Sequence, residues 1–186
     1  MSEPISQENP YSAPQASLHQ EKFSKSEVWQ VLGTGLVIGA SLGAGTNAIN
    51  GWVGPTYFTY VLRWTENIWM NAVIQGVMEA GLYGLLNAAI FVMIANFLGR
   101  GIRSVSHVRK YLLSCAAAVL VVWILGGLIG VFIAPHAARD PLYKGPFPVV
   151  AFDDPGFCWT LGSLNLAIWA SWPITFIGGY LYSRKS

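Results

Sequence analysis

Hydrophobic positions along this chain gather into four long stretches that carry almost no charge. Residues 28–62 contain no Asp, Glu, Lys or Arg, residues 67–98 contain Glu79 alone, and residues 111–138 and 155–183 contain none. Each stretch can supply the roughly 20 apolar residues that a helix needs to cross a hydrocarbon core about 30 Å thick. The pattern predicts an all-α integral membrane four-helix bundle with helices over about 28–50, 71–97, 111–134 and 160–182. The membrane domain is expected over 28–183, between a polar tail, 1–27, and a short end, 184–186.

Composition agrees with that frame. Hydrophobic residues make up 53% of the 186 residues and charged residues 11%, well under the roughly 25% of an average soluble domain. A soluble chain of this length could not hide four such segments, so one membrane domain is expected rather than several globular ones. The tail holds Pro4, Pro10, Pro14 and several Ser and Gln, too little apolar surface to bury a core, and is expected to be disordered. No basic segment leads into a short apolar run with a small-residue cleavage site, so the first span is expected to act as its own insertion signal.

Basic residues orient the bundle. Lys22 and Lys25 in the tail, Arg100, Arg103, Arg109 and Lys110 between the second and third spans, and Arg184 and Lys185 at the end fall on one side. Only Arg63, Arg139 and Lys144 fall on the other. The positive-inside rule therefore places both termini in the cytoplasm. Trp52, Tyr57, Phe58, Tyr60, Trp64, Trp69 and Trp159 would form an outer aromatic belt, and Trp29, Tyr111, Tyr180 and Tyr182 an inner one. The outer segment 51–70 is rich in aromatics and poor in charge, so it is expected to lie in the interface or dip back into the bundle. The second outer segment, 135–159, holds five prolines and is expected to pack against the first as a cap.

Small residues recur at helical spacing on every span. Gly35, Gly39 and Gly43 lead to Asn47 on one stripe; Gly76, Ala80, Gly84 and Ala88 form a second; Gly126 and Gly130 mark the third span, and Ser163, Ala167 and Ser171 the fourth. Such stripes let two backbones approach closely where lipid removes the hydrophobic drive. They predict packing within the bundle, with a stripe facing another protomer or lining a pore as the alternatives. Pro173 should kink the fourth helix and free a carbonyl near Trp169. The two halves resemble each other faintly: Gly39-x-x-x-Gly43 precedes Pro55-Thr-Tyr57 much as Gly126-x-x-x-Gly130 precedes Pro141-Leu-Tyr143. A parallel duplication of a two-helix unit is one reading of that likeness.

Glu79 is the single acidic residue inside a span, and an ionisable group there costs a few kcal/mol on insertion scales, which marks it as a functional candidate. Gln75, Glu79, Tyr83 and Asn87 follow at intervals of four, drawing one polar stripe along the helix. Glu79 is expected about 12 Å into the bundle at 1.5 Å per residue, in a layer with Asn47, Asn50, Ser163 and Asn165. Three readings follow. A neutral Glu79 could fasten helices through Asn47 or Asn165, a charged one could form a proton- or cation-binding site reached from outside, or the stripe could meet a partner protein.

Other chemistry is thin. No phosphate loop, H-E-x-x-H, G-x-S-x-G or C-x-x-C pattern occurs, and Ser114 and Cys115 have no evident base at their depth, so no catalytic residue, metal ligand or cofactor is assigned. His136, Asp140, Asp153 and Asp154 match no strong ligand spacing and read as a solvated surface. The basic loop 100–110 suits orientation and lipid headgroups, not nucleic acid. Cys115 and Cys158 are expected on opposite sides of the membrane, out of disulfide reach within one chain. The tail run Asn9-Pro10-Tyr11-Ser12-Ala13-Pro14 favours an extended conformation that a partner groove could dock, or is a leader with no partner.

That Asn9-Pro10-Tyr11-x-x-Pro14 tail ahead of four spans resembles a group of uncharacterised small bacterial four-helix inner-membrane proteins. The run from Gly39 through Gly43, Asn47, Asn50, Trp52 and Pro55 to Tyr57-Phe58 resembles their first hairpin, and Gly76-Val-Met-Glu79-Ala-Gly81 their second helix. The resemblance covers the first two helices. It implies a bacterial inner-membrane location and four helices, and brings no activity, ligand or site. The expected function is that of a non-enzymatic polytopic membrane protein acting by helix packing, with itself or as an accessory subunit of a membrane complex. The alternative is a small transporter or channel component in which Glu79, Gln75, Asn47, Asn50, Asn165 and Asn87 hold a proton or small polar solute.

Overall fold

Ser24 and Glu27 set the start of the first helix. Glu27 N–H donates to Ser24 Oγ at 3.3 Å while Ser24 N–H donates to the Glu27 carboxylate at 2.9 Å, the reciprocal capping box that satisfies two orphan donors. The computed structural model describes residues 24–98, 105–140 and 145–185. The Asn9–Pro14 motif, Lys22, Arg100, Arg103, Pro141, Tyr143 and Lys144 lie outside the described residues.

Five α-helices follow in order: α1 (Lys25–Val53), α2 (Pro55–Leu62), α3 (Ile68–Phe97), α4 (Val105–Ala138) and α5 (Pro155–Lys185), with a short 3-10 helix, η1 (Val149–Asp153), before α5. There are no strands among the described residues. The long helices extend beyond the ends expected from hydropathy because their caps lie in polar flanks. Asn67, in the left-handed region at φ 48°, precedes α3. Asp154 Oδ1 accepts from Gly156 N–H at 2.8 Å and opens α5, with Pro155 at a position where its missing N–H costs nothing. Helix α4 runs through Pro135 instead of stopping before it. Only one carbonyl is freed so near the helix end, and Ala138 is anchored in a buried cluster with Ala151, Phe152 and Phe157.

Helices α1, α3 and α4 are long and apolar enough to cross a membrane, and they point to a membrane location. Val37, Met78, Met93 and Phe132 are exposed along them, as expected of helices whose surroundings are as apolar as their core. Helix α5 has the length, but Thr160, Ser163, Asn165, Ser171, Thr175 and its tryptophans and tyrosines make it more polar.

The four long helices form two antiparallel hairpins. In the first, Gly35 meets Gly84 and Ala88, Gly39 meets the Ala80 carbonyl and Gly43 meets the Gly76 carbonyl, so a Cβ at any of them would strike the facing helix. In the second, Gly126 faces Gly162, and Gly130 faces Cys158 and Gly162. All seven glycines expected to pack helices do so inside the chain. On α5 the close-approach residue is Gly162, one position before the expected Ser163 stripe, and α4 is what meets it.

Each hairpin has its connector at the same end, called here the cap end. The segment 51–70 forms α2 there, begun by Pro55 and closed by Arg63 at φ 60°. The two connectors meet around buried Phe157, whose ring lies 5.8 Å from Tyr57, 6.1 Å from Tyr60, 5.5 Å from Phe147 and 5.3 Å from Phe152. Gly54 and Gly156 bring the hairpin backbones together beside them. At the opposite, terminal end the hairpins share a core of Val31, Phe91, Val108, Leu112 and Tyr182.

Candidate functional site

Four-residue spacing puts Gln75, Glu79, Tyr83 and Asn87 on one face of α3, and that face looks toward the seam between the hairpins. Glu79, Tyr83 and Asn87 line a chamber of about 150 Å³ to which all four long helices contribute. Thr46 and Asn47 enter from α1, Cys115 and Trp123 from α4, and Ser171 and Thr175 from α5. The glycine contacts draw helices together within each hairpin. Between hairpins the facing residues include Ala116, Val119 and Ala167, short side chains that leave volume unfilled. The wall is overwhelmingly apolar.

The chamber is open on its flank. Glu79 on α3 and Ile168 on α5 both line it and are both exposed. Further toward the terminal end, Tyr83 and Trp172 meet edge to face at 6.3 Å and close the seam between these helices. Gln75 Nε2 donates to Glu79 Oε1 at 2.8 Å. Glu79 has no cationic partner among the described residues. Tyr57, in α2, has its phenol raised above the usual range, foremost by burial and then by the charge of Glu79.

A separate buried ladder fastens the hairpins. Asn47 Nδ2 donates to the Ala72 carbonyl at 3.1 Å, Asn50 Nδ2 to Asn47 Oδ1 at 3.4 Å, and Ser163 Oγ to Asn50 Oδ1 at 3.4 Å. Thr175 Oγ1 donates to Asn87 Oδ1 at 3.0 Å, a second link between the hairpins, from α5 to α3. The fastening role considered for Glu79 thus falls to Asn47 and Asn50, and its own partner is Gln75 on the same helix. Asn165 does not join the cluster. It is exposed and donates to its own helix at Leu161 O, 2.8 Å away. Two residues along a helix turn a side chain by about 200°, so Asn165 faces away when Ser163 faces in.

Trp123 was not foreseen. It is 5% exposed, lines the chamber, and its indole N–H has no hydrogen-bond partner. Its ring stands edge to face against Trp159 at 5.5 Å, and Trp159 rests on Gly127. It sits in an unbroken apolar run of α4, where nothing in the sequence sets it apart. Cys115 and Cys158 are both free thiols; the first lines the chamber and the second is buried under the cap, near Phe152 O. Asp153 pairs with Arg139 at 2.8 Å on the surface, and Asp154 caps α5. No group of three His, Cys, Asp or Glu side chains is placed to hold a metal among the described residues.

Chemically, the arrangement offers one carboxylate, steered by one amide, at the edge of a ring-sized apolar space. Comparisons with protein families, curated proteins and solved structures find no match for this chain.

Proposed function

We propose that this chain is a non-enzymatic four-helix membrane protein that binds a small solute between its hairpins, as a small transporter or a component of one. In this reading α5 crosses the membrane beside α1, α3 and α4. Both termini lie in the cytoplasm of a bacterial cell, and the cap end faces outward across the inner membrane. The observation that carries the proposal is the chamber itself, a concave apolar space with few convergent polar groups, which is the usual form of a small-ligand site. The small-residue stripes that suggested assembly with a partner are occupied by contacts inside the chain, so they lend that reading no support. Apolar side chains facing outward need only lipid to cover them.

Cys115 supplies the test, because it lines the chamber toward the terminal end. In a Cys158→Ser background, 2-aminoethyl methanethiosulfonate added from outside should modify Cys115. Filling the chamber with Ala116→Phe should slow that reaction severely. An unreactive Cys115 in folded protein, or equal labelling of the filled variant, would sink the proposal. A stoichiometric partner protein retained in mild detergent, with no access to Cys115, would return the chain to the accessory-subunit reading.

A further inference from the structure

The chamber is specific enough to name a ligand class, and the inference rests on the solute-binding reading above. We infer that it takes a monovalent organic cation with a single ring-sized apolar body, an arylalkyl ammonium. Size sets the body: a cavity of about 150 Å³ is the volume at which a buried apolar space accepts one benzene ring. The wall sets its character, since an apolar surface gains nothing by enclosing a hydrated solute.

Unmatched polar groups set the rest. Asn47 and Asn87 are already engaged, with Ala72 O and Thr175. Among the described residues no cation neutralises Glu79, which lies at the opening, in reach of a ligand's charged head. Tyr83, one turn along, presents an aromatic ring to the same head, a further source of cation attraction. In the wall, the Trp123 indole N–H also lacks an acceptor, and the π face of a bound ring would supply a weak one. A bare metal ion would find one carboxylate here, too few for the six or more oxygens that hard divalent cations take.

The test uses the full chain in lipid nanodiscs, with empty nanodiscs subtracted, and two probes with one body: 2-phenylethylammonium and the neutral 2-phenylethanol. Quenching of tryptophan fluorescence and calorimetry follow binding. The ammonium should bind on the order of tenfold or more tighter than the alcohol, a difference of about 1.4 kcal/mol. Glu79→Gln should abolish that preference while leaving alcohol binding unchanged, and Ala116→Phe should remove both. Equal binding of the two probes to the unaltered protein would overturn the cation assignment and leave the solute-binding reading standing. Failure of both probes to bind folded protein would overturn both. Ammonium binding that survives Ala116→Phe would place the cation outside the chamber and also overturn the assignment. Should Glu79→Gln fail to fold, the comparison of probes on the unaltered protein decides by itself.

Discussion

Gln75 and Glu79 stand one turn apart on α3, and the Gln75 amide holds Glu79 Oε1 at 2.8 Å. The carboxylate is exposed, so this bond orients more than it stabilises: a hydrogen bond to a charged group is worth about 1.5–3 kcal/mol, and less where neither partner is held by packing. Gln75→Ala should therefore leave thermal unfolding nearly unchanged. It should weaken 2-phenylethylammonium binding by a few-fold, less than Glu79→Gln does. A large loss of stability in Gln75→Ala would instead make the pair a structural fastening, measured as a shifted melting curve in the same detergent.

Glycines on α1 divide into two kinds, and substitution should tell them apart. A side chain at Gly39 or Gly43 strikes the Ala80 or Gly76 carbonyl, and backbone cannot yield as a flexible side chain can. Gly39→Leu and Gly43→Leu should each cost at least about 1–3 kcal/mol, the range for overpacking, and separate α1 from α3. Gly33 and Gly45 meet nothing within 4 Å, so Gly33→Leu and Gly45→Leu should stay within about 0.5 kcal/mol of the parent. Unfolding in mixed micelles measures the contrast, and equal costs at all four positions would refute the seam.

How much of this was legible in the sequence depends on whether a feature is local. The absence of charge over 28–62 and 111–138 announced the long apolar helices, since length and polarity suffice for that. The wall of Glu79, Tyr83 and Asn87 was legible from spacing alone. So was the α1 stripe, although nothing in the sequence named α3 as its partner. Helix starts lay beyond hydropathy because capping is polar: Ser24 and Glu27 begin α1 in a segment read as tail. Gly162 and Trp123 were not legible, as each owes its role to the register between α4 and α5. Asn165 misled because depth placed it beside Ser163 while its azimuth on α5 pointed it elsewhere. Glu79 was found, but its partner was sought across helices when it lay one turn away.

Asn50 and Ser163 join the hairpins through a bond of 3.4 Å, long for its kind, between two fully buried side chains. Interhelical hydrogen bonds in membranes average about 0.6 kcal/mol in double-mutant cycles. A cycle of Asn50→Leu with Ser163→Ala should therefore give a coupling near or below that value. Asn47→Leu should cost more than Ser163→Ala, because Asn47 both donates to Ala72 O and accepts from Asn50. A coupling well above that value would make this bond, and not the Gly54–Gly156 approach or the rings around Phe157, the main tie between the cap ends.

Tyr57 gives the alkaline limb of stability a specific source. Burial first, and the Glu79 charge second, raise its phenol above its ordinary value of about 10. The unfolded phenol ionises near that value, so above it the unfolded state sheds a proton that the folded state retains. Stability contributed by the neutral phenol is complete below the unfolded pKa and declines as pH rises toward the folded one. Tyr57→Phe should flatten that decline without altering stability at neutral pH beyond the loss of one hydroxyl. Glu79→Gln should flatten it in part, since burial remains when the charge is gone. Unfolding free energies measured across the alkaline range, for the parent and both variants, check the order. A decline unchanged by Glu79→Gln would show that the carboxylate does not act on the cap.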